Sequence, residues 1–578
     1  MNIYQTWTEI VRQHAESVLS KLSTDVDKKI VDRVMVEPPR DSMHGHLATN
    51  AAMVLAKSVG MSPRDFADKL VPYFYEESYV SGVEVAGPGF INICLSSDFW
   101  NQQVKTVLCA QENYASTALG AGKLVNIEYV SCNPTGPMHI GHARGAIVGD
   151  VLANIYEAVG YTVTREFYIN DAGQQIKALG ESLYKQYREL CGIPYEKDVA
   201  YPGDYLIAAA KDIFDADNNK WADVTEDMWL PEFSVRAVRA MMVLIRQDLK
   251  KLGICHRIFS SEKALVEQGK VQKAIKTLDG MGLLYRGILP QPKGHADDDW
   301  EPREQLLFKS TAFGDDTDRP LMKSDGTYTY FTSDIAYHQD KYARGHHILI
   351  DILGADHGGY VTRIKSAVKA ITGGNAQCHV LLCQMVKFIK DGTALKMSKR
   401  AGTFVTVDDV LAEVPKDVVR FMMLTRKNDA PLDFDFTKVV EQSKENPVFY
   451  VQYAHARMCS IFRHAQELFG DLEKGLIAGD VSMSEDEQDV IRFVCQWPQV
   501  LQASATANEP HRIAYYLYEL ASQFHALWNK GKDYEHLRFI HPTSKEKTLE
   551  RLQVVRVVQV VLAQGLGVLG IIPVEEMR

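Results

Sequence analysis

Residues 124–145 read LVNIEYVSCNPTGPMHIGHARG. The first seven form a short apolar run with β-branched side chains, the pattern of a strand buried on both faces of a parallel sheet. A loop rich in proline and glycine follows. Beyond it Ile147, Val151, Leu152, Ile155 and Val159 recur at helical spacing, which predicts an amphipathic helix ending near Gly160. Strand, loop, helix is the opening unit of a nucleotide-binding α/β fold. The loop carries His139-Ile140-Gly141-His142 at the expected start of the helix. Backbone N–H groups at a helix N-terminus attract phosphate, and two imidazoles three residues apart on that turn can reach one polyphosphate. Gly141 leaves room for a base or ribose against the backbone, and Pro134 and Pro137 stiffen the approach.

A second cluster, Lys396-Met397-Ser398-Lys399-Arg400, follows a strand-like run and the turn Asp391-Gly392-Thr393. Three cations in five residues suit stabilisation of a phosphoryl transition state, which needs charge without covalent chemistry. Taken singly, each cluster is also a pair of surface histidines or a solvated basic turn. Both follow sheet-like strands, in order, as the two halves of one nucleotide site would. Their wide separation leaves room for an inserted subdomain, and residues 180–270 are mostly helical in pattern. From Phe331 to Cys383 apolar runs alternate with a helical stretch, which reads as the second half of a parallel sheet. After Arg400 the pattern is helical to the end.

The N-terminal hundred residues show helical spacing through Ile10, Val11, Val18 and Leu19, then a strand pair around Gly87-Pro88-Gly89. The polar stretch 111–123 reads as a linker. The expected organisation is multidomain α/β: an N-terminal α+β module (1–110), a Rossmann-type catalytic domain (111–400) with a helical insertion at about 180–270, a helical connector (401–447) and an all-α bundle (448–578).

Composition agrees with a globular protein. Of 578 residues, 46% are apolar and 24% charged, which excludes disorder, collagen and a small disulfide scaffold for the chain as a whole. Net charge is −10, so any nucleic-acid contact needs a localised basic face. Nine cysteines without C-x-x-C spacing read as reduced thiols, and no zinc or other metal site is expected. The N-terminus lacks the basic n-region of a signal peptide, and the most apolar stretch (554–572) is broken by Arg556, Gln559 and glycines. A cytoplasmic monomer with no membrane contact is expected.

The pair HIGH (139–142) and KMSKR (396–400) resembles the two signatures of class I aminoacyl-tRNA synthetases. Further stretches resemble the bacterial-type arginyl-tRNA synthetases: EVAGPGFIN (84–92), EYVSCNPTGPMHIGHARG (128–145), YFTSD (330–334), GADHGGY (354–360), NDAPLDFDF (428–436) and NPVFYVQYAHAR (446–457). They span almost the whole chain. The resemblance implies an arginine–tRNA ligase that joins L-arginine to ATP as arginyl-adenylate, releases pyrophosphate, and transfers arginine to the 2′-OH of the terminal adenosine of its tRNA. ATP is a substrate and Mg²⁺ accompanies it.

By the same resemblance His139, His142, Lys396 and Lys399 are catalytic. Gly136, His139, Gly141, His142, Met397, Ser398 and Lys399 bind ATP. Glu128, Tyr330 and Asp334 hold the guanidinium, which needs carboxylates and planar acceptors. Ser131, Asn133, His139, Asp356 and His357 hold the other end of arginine. Tyr450, Tyr453 and Arg457 contact tRNA, with His455 as a further ring and Arg463 on phosphate or packed within the domain. Cys132 stands where the family has a small residue or proline, and the ending IIPVEEMR departs from the family's tail. Two alternatives remain: a synthetase-derived RNA-binding regulator without ligase activity, and another class I synthetase. The cysteine enzyme would require zinc ligands that the spacing lacks.

Overall fold

The computed structural model describes residues 2–39, 41, 44–194, 199–289, 304–323, 326–395, 405–472, 475–476 and 479–577. They fall into two compact units. One comprises Gly120–Glu157 and Tyr161–Glu441; the other Met1–Leu119, Ala158–Gly160 and Gln442–Arg578.

The first unit is built on a five-stranded parallel sheet. Its strands are β1 (Leu124–Glu128), β2 (Thr162–Ile169), β3 (Ile258–Ser261), β4 (Ile348–Gly354) and β5 (Gln377–Cys383), in the spatial order β5-β4-β1-β2-β3. The order reverses between β1 and β4. An open α/β sheet has its crevice at such a reversal, outside the carboxyl ends of the strands. There the register sets Glu128 of β1 beside Asp351 of β4.

The helix after the HIGH segment, Ala143–Ala158, is not amphipathic as expected. Its buried residues run from Ala143 through Tyr156 and cover nearly the whole circumference, because the helix is covered on its outer side as well as by the sheet. A Cβ on Gly149 would sink into the Tyr129 ring, so glycine lets the helix close onto β1. Two buried arginines brace it. Arg144 donates to the carbonyls of Gln384, Lys427 and Ala430, and Asp150 holds Arg420 at 2.6 Å.

The insertion is shorter than the sequence suggests. Helices Gln174–Leu190, Tyr205–Asp217 and Glu226–Lys251 share a core of Leu179, Leu183, Tyr187, Phe233 and Met241, but the chain is back in the sheet at β3. A four-residue edge strand carries too little periodicity to break a long helical pattern. A three-stranded antiparallel sheet (Leu284–Gly287, Gln305–Phe308, Arg319–Met322) then intervenes before β4.

The stretch after Arg400 is not purely helical either. Leu432–Asp435 is a strand, parallel to Val386–Lys390. Leu432 and Phe434 face inward while Asp433 is exposed, a period of two that four residues show only faintly. The hairpin at Asp391-Gly392 takes positive φ at both positions (51° and 74°), as a two-residue hairpin turn requires.

In the second unit a four-stranded antiparallel sheet carries helices Ile3–Lys21 and Pro63–Phe74, with Gly87 and Gly89 at positive φ in its hairpin. Residues 111–123 are not a loose linker, since Tyr114 and Ala115 are buried. The bundle comprises Pro447–Phe469, Glu485–Val494, Trp497–Ala507, His511–Asp533 and Lys545–Val568. By length and composition alone the last could cross a membrane. Leu552, Val555, Val558 and Leu562 are nevertheless fully buried, as in the central helix of a folded bundle.

Candidate active site

A cavity of about 570 Å³ opens at the sheet reversal. β1 delivers Glu128 to its wall. Two left-handed residues follow, Val130 (φ 70°) and Ser131 (φ 37°), a strained turn of the kind that gathers at functional sites. It aims the Ser131 hydroxyl at Glu128 Oε1 (3.0 Å), while Ser131 Oγ accepts the Tyr168 N–H (3.0 Å). Helix Tyr330–Ala343 puts Tyr330 and Asp334 on its first turns. Of the residues assigned to arginine, Glu128, Ser131, Asn133, Tyr330, Asp334, Asp356 and His357 all line this cavity, as do His142 and Cys132. His139 does not line it, but its ring stacks on His142 at 3.8 Å.

The cavity is strongly acidic. The Asp334 carboxyl is pushed up to about 7, first by burial and further by Glu128 and Glu262, against the lowering effect of the Tyr360 hydroxyl and His338. Beneath it lies a buried network. Lys341, fully enclosed, donates to Glu128 Oε2 (2.6 Å) and Asp351 Oδ1 (2.8 Å), and His338 Nε2 meets Asp351 Oδ2 (2.8 Å). Burial alone would raise Asp351, yet Lys341 and His338 hold its carboxyl well below the usual carboxylate range. Burial would likewise lower Lys341, and Asp351 and Glu128 outweigh it.

The HIGH segment is a single 3-10 turn (Ile140–His142) leading into the helix. A Cβ on Gly141 would lie 2.7 Å from the His139 ring, so this glycine makes room for the neighbouring imidazole. The Met138 N–H donates to Asp248 (3.0 Å), whose carboxyl burial pushes up to about 6. Lys396, Met397, Ser398, Lys399 and Arg400 lie outside the described residues. The chain just beyond them is tied to the HIGH segment: the Ile140 N–H donates to the Val405 carbonyl (2.9 Å), and the Val407 N–H to that of Met138 (3.2 Å). Gly136 sits against Tyr205, whose hydroxyl donates to the Thr135 carbonyl (3.1 Å).

In the second unit Arg457 donates to the Tyr453 hydroxyl (2.6 Å) and lies over the Trp528 ring (5.2 Å), beside a cavity of about 590 Å³. Tyr450 packs on Tyr518 and His525. His455 is not an available stacking ring, because it is buried and its Nδ1 donates to the Val574 carbonyl (2.8 Å). Arg463 reaches the tail at Glu575 and Glu576. The divergent ending is thus docked along helix Pro447–Phe469.

Sequence reading missed Lys341, His338, Asp351 and Tyr360. A signal existed: Asp334, His338 and Lys341 stand at i, i+4 and i+7, one helical face bearing charge.

With this geometry in hand, comparison with known proteins is specific. The arginyl tRNA synthetase N terminal domain matches residues 7–95, the class I (R) catalytic domain of tRNA synthetases residues 103–253, and the DALR anticodon binding domain residues 451–577. The arginine–tRNA ligase of Azorhizobium caulinodans is 50% identical, covering 100% of both chains. That of Ruegeria pomeroyi is 52% identical over 94% of each. Among solved structures, a putative arginyl-tRNA synthetase of Campylobacter jejuni is 29% identical with a TM-score of 0.71, covering 84% of this chain and 100% of its own.

Proposed function

The chain belongs to the arginyl-tRNA synthetase family and is an arginine–tRNA ligase; from that premise we propose that the crevice between β1 and β4 is its arginine site and that its residues divide the work as follows. One observation carries the reading. Acidic side chains converge at the sheet reversal: Glu128, Asp334 and Asp356 line one cavity, the acceptor set that a guanidinium calls for.

An entering guanidinium supplies that cation. Glu128 and Asp334 accept its N–H groups, and Tyr330 closes over the mouth from the first turn of its helix. Ser131, Asn133, Asp356 and His357 hold the α-amino end, which leaves the arginine carboxylate directed toward His142. That carboxylate attacks the α-phosphate of ATP. The new C–O–P bond forms as the bond to pyrophosphate breaks, so the enzyme needs no nucleophile of its own. Its contribution is orientation and fixed charge.

His139 and His142 contact the phosphates from the helix N-terminus, with Gly136 and Gly141 beside the nucleotide. Lys396 and Lys399 neutralise charge developing on the leaving group, with Met397 and Ser398 alongside. The ties from 405–407 to 138–140 support this, since they fix the exit of the KMSKR segment at the HIGH turn. Mg²⁺ would accompany the ATP phosphates and offset their charge, as is usual for this hard, reluctantly dehydrated ion. The 2′-OH of the terminal adenosine then attacks the adenylate carbonyl and AMP departs. Residues 448–578 serve as the anticodon-binding domain, with Tyr453 and Arg457 as the stacking and phosphate contacts, 401–447 as connector, and 1–110 as a further tRNA-contacting module. The working form is a cytoplasmic monomer.

The test is ATP–pyrophosphate exchange across the twenty amino acids, with and without total tRNA. Exchange with arginine alone is expected. Exchange driven by another amino acid, or by none despite tight tRNA binding, would overturn the assignment.

A further inference from the structure

Lys341 is a full positive charge with no exposed surface, and nothing in the proposed reaction uses it. Its ammonium sits between two carboxylates, Glu128 at 2.6 Å and Asp351 at 2.8 Å, with the Tyr337 ring at 4.3 Å. Both carboxylates line the cavity, whereas Lys341 approaches them from behind. Two carboxylates about a hydrogen bond from one point, capped by an aromatic face, form a site for a compact ammonium. A guanidinium asks for something else: coplanar acceptors spread along a fork. A cavity that offered both would accept the side chain of free lysine as well as that of arginine.

We propose that Lys341 is a specificity-determining residue: by occupying the ammonium site between Glu128 and Asp351, it denies that site to free lysine and leaves only the outward lone pairs of Glu128, with Asp334, for a planar guanidinium. Glu128 is fixed for that task. Lys341 holds Oε2 and Ser131 holds Oε1, so the carboxylate plane cannot turn to follow a smaller cation. Discrimination between two cations of equal charge then comes from a filled site as much as from favourable contacts. His338 completes the arrangement by taking the second oxygen of Asp351, and that carboxylate, more deeply buried than Glu128, is fixed against its two partners.

This inference rests on the crevice being the arginine site, and the experiment separates the two. In tRNA-supplemented ATP–pyrophosphate exchange, the KM for arginine and the inhibition constant of L-lysine against arginine are measured for wild type, Lys341→Met and Asp334→Asn. Asp334→Asn is expected to raise the arginine KM; if it does not, the pocket reading fails. Lys341→Met is expected to lower the ratio of lysine inhibition constant to arginine KM by about tenfold or more, with the KM for ATP near wild type. A merely structural lysine would lower thermal stability and total activity while leaving that ratio alone. Should Lys341→Met fail to fold, Lys341→Met/Asp351→Asn removes the charge pair together, which buried pairs tolerate better than loss of one partner. It still frees Glu128, so the ratio is again expected to fall severalfold. An unchanged ratio in a folded variant, with Asp334→Asn impaired, would overturn the lysine-exclusion role and nothing else.

Discussion

Replacing Asp334 by asparagine changes one atom and should produce three linked effects. Burial, with Glu128 and Glu262 nearby, raises the carboxyl from an ordinary 3.8 to about 7. Guanidinium binding needs it ionised, so below pH 7 arginine must displace a proton. At pH 6 roughly one-tenth of Asp334 is ionised and at pH 8 roughly nine-tenths, so the wild-type arginine KM should fall about tenfold across that window. Asparagine cannot titrate, so the variant's KM should be flat in pH apart from any shared background. It should also be higher at pH 8, by roughly 10- to 150-fold, the cost of leaving a charged hydrogen-bonding partner without its counter-ion.

Stability should move the other way. Below about pH 4 the carboxyl is protonated in folded and unfolded chains alike and contributes nothing. Between about pH 4 and 7 the unfolded chain releases the proton while the folded chain keeps it, so stability falls as pH rises. Above pH 7 the full penalty applies, about 4 kcal/mol at most. Asp334→Asn removes it, and the Tyr360 hydroxyl can still donate to the amide oxygen. The variant should therefore match wild type near pH 4 and melt at higher temperature near pH 8. Steady-state exchange kinetics from pH 6 to 8, with thermal unfolding at both ends, check the set. A wild-type KM independent of pH, or a variant with wild-type KM, would show that Asp334 does not meet the guanidinium.

Other consequences are simpler. His142→Ala should depress adenylate formation about a hundredfold in single-turnover assays while leaving tRNA affinity unchanged, since the imidazole lines the cavity and is the proposed contact to the ATP phosphates. Gly149→Ala should destabilise the first unit by about 1–3 kcal/mol in denaturant unfolding, because its methyl group meets the Tyr129 ring. Arg457→Ala should weaken tRNA binding about tenfold in filter assays, through loss of the proposed phosphate contact and of its hydrogen bond to the Tyr453 hydroxyl; arginine affinity measured by calorimetry should not change.

The parts of the fold that could be read in advance have long or exclusive patterns. β1 and the other buried strands declare themselves through apolar runs, the loop after β1 through its prolines and glycines, and the terminal bundle through helical periodicity. The misreadings share a physical cause. β3 and Leu432–Asp435 are four residues each, too short to show a period against their surroundings. The helix Ala143–Ala158 looked amphipathic because alanines and glycines, here buried, count weakly in an apolar stripe. Residues 111–123 looked like a linker because one buried tyrosine, Tyr114, does not stand out among polar neighbours.

The candidate site divides along similar lines. Glu128, Ser131 and His142, which the family resemblance singled out, all line the cavity. Asp351 lies inside an apolar strand where a lone acid reads as an irregularity, and its partner Lys341 reads as an ordinary helix-surface lysine. Only the register that sets Asp351 beside Glu128 gives both a purpose. His455 misled in the opposite direction, since its spacing resembles that of Tyr450 and Tyr453 but it turns inward to the tail.

A crystal structure of the protein with L-arginine decides whether the crevice between β1 and β4 is where arginine sits. The guanidinium is expected within hydrogen-bond distance of both Glu128 and Asp334, the α-carboxylate toward His142, and Lys341 still between Glu128 and Asp351. Arginine bound elsewhere, or bound here with its α-amino group against Asp334, would contradict it.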